Sequence, residues 1–494
     1  MDHFLLGQTS LNVVDAAVLF AVLAAVMMIG FIFGRGQEST NDFFLGRRAV
    51  PGWAACLSFI ATEVSAVTII SVPAIAFMEN WQYAQFFIGT SAARIVIAYL
   101  FIPAFYHYNC TTIYEFLRHR FGLSTQITSS IFFFITRLLG SGVRLMAASL
   151  AVSVLLGWHI IPSILLFTVI SIAYISFGGI KAVVWTNVFQ AVVFLGAGLA
   201  TLAYLLIQVG GWGNVLQVAG GAGRLDIINW GPAWSDTHFL RNFMTDPNIL
   251  WIAILNGFIG SLAAFGTDHD LMQRLLTVDT RTRSQRTILW TILGNFIVLS
   301  IFLTIGAALY TFYSQHPELA LPDKLDKIFP HFIGHCMPGL LRGLMLSAIV
   351  MASIDSPLGS LSASFVTDIY RSVIHTVGTE KHYLFVSRVS VGIFGVILAG
   401  LAYGFSFFEK ILWLAFKIGG VTFGSLLGIF LLGLLTKRDS RRANVYAMTL
   451  SAVTNLLLLV LSETKVIPLG WSWLVILGTG MTFGFGWLFG PRMK

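Results

Sequence analysis

Charge is what this sequence has least of. Only 11% of its 494 residues are Asp, Glu, Lys or Arg, 56% are hydrophobic, and the mean hydropathy is +0.82. Soluble domains carry about a quarter charged residues, so a chain this apolar belongs in a lipid bilayer. Cysteine is scarce too. Cys56, Cys110 and Cys336 lack the spacing of a metal or redox site, and no disulfide framework is expected. No Lys/Arg-rich tail or aromatic–basic platform is present, so the net charge of +8 is no nucleic-acid footprint and no nucleic-acid partner is expected. The start "MDHFLLGQTSLNVVD" lacks the basic residues of a cleavable signal peptide, and the first apolar run is expected to be retained. HExxH, GxSxG and paired-Asp signatures are missing from the apolar runs, which argues against an intramembrane enzyme.

What is abundant is long apolar runs. A hydrocarbon core about 30 Å thick takes about 20 helical residues to cross. Runs of that length fall near 13–34, 52–77, 83–108, 126–157, 159–177, 183–209, 248–270, 286–314, 339–365, 384–404, 410–435, 443–462 and 470–490. The expected fold is therefore an all-α polytopic membrane protein with about 13 transmembrane helices. Short cytoplasmic loops collect Lys and Arg. With the N-terminus outside, 19 of the 30 basic residues fall on the inner side, and the C-terminus is cytoplasmic. No soluble domain interrupts the pattern, and with "GPRMK" directly after the last run a kinase of the sensor kind is not expected. "YEFLRHRFG" reads as a cytoplasmic amphipathic helix.

Polar residues inside such runs are expensive and mark pathways or partnered structural sites. At 1.5 Å per residue, Ala61 to Val64 lie about 14–18 Å deep, and Arg94 and Arg137 each about 16 Å. Glu63 therefore shares a depth with Arg94, and the two are expected either to form an ion pair holding helices together or to leave Glu63 as a coupling group. In "SAIVMASIDSPLGSLSASFVTDIY", Ser353, Ser356, Ser360 and Ser364 follow helical steps of three and four. A hydroxyl face of that kind suits a hard cation such as Na⁺ and equally suits close helix packing.

The stretches "ATEVSAVTIISVPA", "FGGIKAVVWTNVFQAV", "FGTDHDLMQRLLT", "SASFVTDIYR" and "IGGVTFGSLLGIFLLGLLTKR" carry a resemblance. In order and spacing the chain resembles the sodium/solute symporter family over nearly its full length. That resemblance implies a LeuT-like fold: one extra N-terminal helix (13–34), a five-plus-five inverted repeat (52–209 and 248–435) and two C-terminal helices (443–490), all in one transporter domain. It implies alternating access in the plasma (inner) membrane, with Na⁺ as coupling ion and no organic cofactor. By the same resemblance the sodium ligands are the carbonyls of Ala61, Val64 and Ile349 and the hydroxyl of Ser353. Ala352 stands where many members have a further hydroxyl, a gap that Asp355 or water would fill. Asn187 stands where many have Asp, which favours one sodium per cycle. His269 replaces a common Gln at a helix end, where a structural role is expected.

The solute site in this family lies beside the ion, giving Ser65, Thr68, Ser261, Phe265 and Arg137 as candidates. Gly257, Gly260 and Gly266 would ease a break in "NGFIGSLAAFG". A guanidinium fits a carboxylate, so Arg137 favours a small organic anion as the solute, unless it pairs with a buried acid. The alternative on the same fold is proton coupling through Glu63, Asp355 or His269.

Overall fold

The protein, seen in a computed structural model, is described over residues 12–491 except 157, 234, 323–326, 355–356, 408–410 and 439–440. Within that range it is built of helices. In chain order they are α1 (Val13–Phe33), α2 (Thr40–Leu45), α3 (Gly52–Glu63), α4 (Ala66–Met78), α5 (Ala84–Val96), α6 (Ile102–His107), α7 (Ile113–Phe121), α8 (Leu123–Leu156), α9 (Ile160–Gln208), α10 (Trp212–Val215) and α11 (Phe239–Thr245). The second half holds α12 (Leu250–Gly266), α13 (His269–Leu276), α14 (Arg281–Gln315), α15 (Ile328–Cys336), α16 (Gly339–Ile354), α17 (Leu358–Ser364), α18 (Glu380–Phe405), α19 (Ile411–Leu435), α20 (Arg441–Glu463) and α21 (Ser472–Phe489).

Among the described residues nine helices are long and apolar enough to cross a membrane, or ten if the bent pair α3–α4 is one span. A single π-helical turn, Ile97–Phe101, joins α5 to α6. The 49 residues of α9 are too many for one crossing of a core about 30 Å thick. Its conformation breaks at Gly179 (φ 53°, ψ −151°), where a Cβ would come within 2.5 Å of the Phe43 carbonyl oxygen. Only glycine fits there. The amphipathic α7 is present where "YEFLRHRFG" predicts it, opened by a capping box between Thr112 and Glu115.

In lipid, helices gain little from hiding apolar surface, so small residues that admit close approach decide the packing. The α5–α12 pair depends on this. A Cβ on Gly89 would lie 2.0 Å from the Ile254 carbonyl oxygen, and one on Gly257 would lie 2.2 Å from that of Phe86. Gly89→Val is expected to part the two helices, and size-exclusion chromatography should then show loss of the monodisperse peak.

The buried side chains form two large clusters. One holds α7, α13 and the first part of α3, the other α4, α15, the later part of α14 and the later part of α16. Phe59 belongs to the first cluster, and Ile60, Ala61 and Val64 belong to the second. The end of α3 thus lies where the clusters meet.

Candidate functional site

At that junction the helix is interrupted. Val64 (φ −77°, ψ 106°) and Ser65 (φ −99°, ψ 168°) are extended, and α3 and α4 meet at 61°. No turn hydrogen bond closes across these two residues. The carbonyls of Ala61, Thr62, Glu63 and Val64 therefore lack the N–H groups that a continuous helix would supply. On the other side, Ser65 caps α4: its hydroxyl accepts from the Thr68 N–H at 3.5 Å, and its own N–H donates to Thr68 Oγ1 at 3.4 Å. The N–H groups at 66 and 67 are left without an i−4 carbonyl. One break thus presents bare carbonyl oxygens at a helix C-terminus and bare N–H groups at a helix N-terminus. The dipoles favour a cation at the first and an anion at the second.

The surroundings supply the rest. α4 packs against α14 and α16, and α3 against α9, α13 and α14. Ile349 and Ala352 of α16 are buried in the same cluster as Ala61 and Val64. Ser353 lies in the last turn of α16, and Asp355 falls outside the described residues.

Glu63, the last residue of α3, takes two donors on one oxygen. Arg94 Nη2 reaches its Oε2 at 2.5 Å and Asn295 Nδ2 reaches the same atom at 2.7 Å. The Arg94 side chain is completely buried, whereas Glu63 keeps 17% of its side chain exposed. Arg94 also lies 4.8 Å above the Phe265 ring, a cation–π contact, and Phe265 meets Phe59 edge-on at 5.6 Å. Of the two roles open for Glu63 and Arg94, the structure contains the ion pair.

Two expectations need correcting. Arg137 does not stand open as a carboxylate anchor. It donates to Asp270 and lies 3.6 Å from Asp268, so buried acids at the start of α13 hold it. Asp270 also accepts from Arg274 Nη1 at 3.1 Å. The break expected in "NGFIGSLAAFG" is absent: α12 runs unbroken to Gly266, and the chain kinks at Thr267 and Asp268, where the Asp268 side chain accepts from the Asp270 N–H at 2.8 Å. The glycines of α12 serve close packing instead, Gly257 against α5 and Gly266 against Phe101. Ser261 shares a 2.9 Å hydrogen bond with Thr90 and is buried, which ties α12 to α5.

Asn187 donates to Thr62 Oγ1 at 3.0 Å and Ser58 Oγ at 3.3 Å; with its amide turned over, its oxygen accepts from Arg274 Nη2 at 3.3 Å. It thereby links α9 to α3 beside the Arg137–Asp270–Arg274 cluster. His269 is buried between the rings of Tyr114 and Phe133, as a structural residue would be.

The sequence reading passed over Asn295 and Asp368. Asn295 sits nine residues, about 14 Å, into the apolar run that begins at 286, a depth that matches Glu63 and could have exposed it. Asp368 is fully buried in the π-helical segment Phe365–Ile374 that continues α17. It accepts from Thr112 Oγ1 at 2.5 Å, Ser364 Oγ at 2.7 Å, and Gln126 Nε2 and Ser130 Oγ at 2.8 Å.

Comparison with known proteins bears on this arrangement. The family model described as "Sodium:solute symporter family" matches residues 43–450. A sodium/sialic acid symporter of Aliivibrio fischeri is 29% identical over 98% of this chain and 94% of its own. One of Proteus mirabilis is 29% identical over 89% and 88%. The human sodium-coupled monocarboxylate transporter 1 is 25% identical over 84% of this chain and 67% of its own. A substrate-bound, outward-open Na⁺-coupled sialic acid symporter superposes with a TM-score of 0.86 at 24% identity, covering 98% of this chain and all of that one. The closed nucleobase-cation transporter Mhp1 gives 0.52 at 16% identity over 91% and 94%. The fold is therefore that of the LeuT-like transporters, and the interrupted helix lies in a membrane carrier. This chain belongs to the sodium:solute symporter family.

Proposed function

We propose that the protein carries a small organic acid across the plasma (inner) membrane together with Na⁺, by alternating access. The observation that carries this reading is the α3–α4 break, which offers oxygen ligands for a hard cation and N–H groups for an anion at one point. The sodium ligands are the carbonyls of Ala61, Val64 and Ile349 with the hydroxyl of Ser353; Ala352 contributes no side-chain oxygen, and Asp355 stands two positions beyond Ser353. The solute carboxylate meets the start of α4, with Ser65 and Thr68 at its cap and Ser261 and Phe265 of α12 as the remaining candidates for the solute site. Relatives that carry sialic acid or monocarboxylates, by their names, support an acid. Arg137, Asp268, Asp270 and Arg274, with Asn187 bound to Thr62 and Ser58, form a latch on the inner side of this site. Its closure supports an outward-facing state.

The crossings number thirteen when α9 is counted as two, α3–α4 as one, and the shorter α16 and α19 are added to the other long helices. The turn at Gly179 then lies at the cytoplasmic face. This count accommodates the N-terminus outside, the C-terminus inside, and repeats at 52–209 and 248–435.

Purified protein in liposomes, given an inward sodium gradient, is expected to accumulate labelled organic acids. Accumulation driven equally well by a proton gradient without sodium overturns sodium coupling in favour of the second reading. That reading rests on Glu63, an acid placed at the break itself.

A further inference from the structure

The side chains around the break differ in what they leave unused. Ser65 and Thr68 are bonded to each other, Ser261 to Thr90, and Arg137 to its acids. Glu63 is different. Both of its donors converge on Oε2, Oε1 has no partner among the described residues, and the side chain is the partly exposed member of the pair. Arg94 fixes the charge and orientation of the carboxylate from behind, so Oε1 is a preorganised acceptor beside the freed carbonyls of α3.

We infer that Glu63 is a solute-specificity residue, its Oε1 accepting a hydrogen bond from a hydroxyl or N–H group of the transported acid. The inference rests on the organic-acid reading above and narrows it: the solute is a hydroxy, amino or acylamino acid, and a plain saturated carboxylate fits poorly. An anion alone gains nothing from facing Glu63. A solute whose carboxylate meets the N-terminus of α4 and whose donor meets Oε1 satisfies both sides of the break. Arg94 cancels the charge of Glu63, so the solute's own charge is balanced by the α4 dipole and the co-bound cation. A site built around a hydrogen bond rejects the analogue that lacks the donor, because the buried acceptor is then desolvated and unpaired.

The test is thermal stabilisation of the purified protein in sodium, with matched acids of graded size that differ by one hydroxyl or N–H, beginning with 2-hydroxypropanoate against propanoate. The donor-bearing member is expected to bind roughly 10- to 100-fold more tightly, as a hydrogen bond to a charged group allows. Glu63→Gln keeps an oxygen for Arg94 and Asn295 but turns the spare acceptor into a donor, so the ratio should fall to about one or invert while sodium dependence persists. If Glu63 is instead the coupling group, E63Q shifts the sodium dependence of both members equally and leaves the ratio intact, which overturns the inference. Should E63Q fail to accumulate, the wild-type ratio and Glu63→Asp, which withdraws the oxygen by one methylene, decide the question. A wild type stabilised by both members alike removes only the role of Glu63. A wild type stabilised by no acid in sodium removes the organic-acid reading beneath it, and this inference with it.

Discussion

Glu63→Ala is expected to lose about 3–5 kcal/mol of stability, the usual penalty for stranding one member of a buried ion pair, and to lose more than Arg94→Met does. The pair is the same, but its members are not equally placed. Arg94 is wholly buried and cannot give up its proton. Without Glu63 it keeps only the Phe265 ring as compensation. Glu63 stranded by Arg94→Met is partly exposed and retains the amide of Asn295. Combining Arg94→Met with Glu63→Leu should recover most of the loss, because an apolar pair leaves no charge to solvate. Thermal midpoints from fluorescence-detected size exclusion test the order. Arg94→Met proving the more damaging change, or a double variant no better than E63A, contradicts it.

The second large effect is expected at Asp368. This carboxylate gathers hydroxyls from Thr112 at the cap of α7, Ser130 on α8 and Ser364 on α17, together with the amide of Gln126. Asp368→Ala would leave four buried donors facing one another. Each unmet donor costs about 1–3 kcal/mol, less where a serine or threonine can turn to a carbonyl of its own helix. The sum is of the order of 4 kcal/mol and falls on one joint. The amphipathic α7 should then lift from the bundle, and trypsin should cut after the exposed Arg118. Asp368→Asn should be intermediate, since one acceptor oxygen remains. Unchanged resistance to trypsin in D368A would show that α7 is held by its apolar face alone.

Much of the architecture was legible because membranes constrain sequences so strongly. Apolar run length locates the helices without any tertiary information. The depth ruler brought Glu63 and Arg94 together for the same reason, since rise per residue is fixed. What it could not give was azimuth. Arg137 has the right depth for a solute anchor, yet its direction and the two acids of α13 decide what it binds. The acids follow the kink at Thr267 and Asp268, and that kink follows from an aspartate cap, not from the glycines that drew attention upstream. Those glycines answer to α5, a partner that helix-by-helix reading does not see. Asp368 lay in plain view in "SASFVTDIYR" but near a helix end, where a carboxylate looks solvated until three other segments close over it.

The break between α3 and α4 also governs the cost of motion. In an unbroken helix, changing the angle between two halves means tearing main-chain hydrogen bonds. Here none spans Val64 and Ser65, so the halves can swivel with no backbone bond to sever. What stiffens the joint must come from outside the chain. A cation resting on the open carbonyls would act as a removable pin, and the carrier should be most compliant with that pin withdrawn.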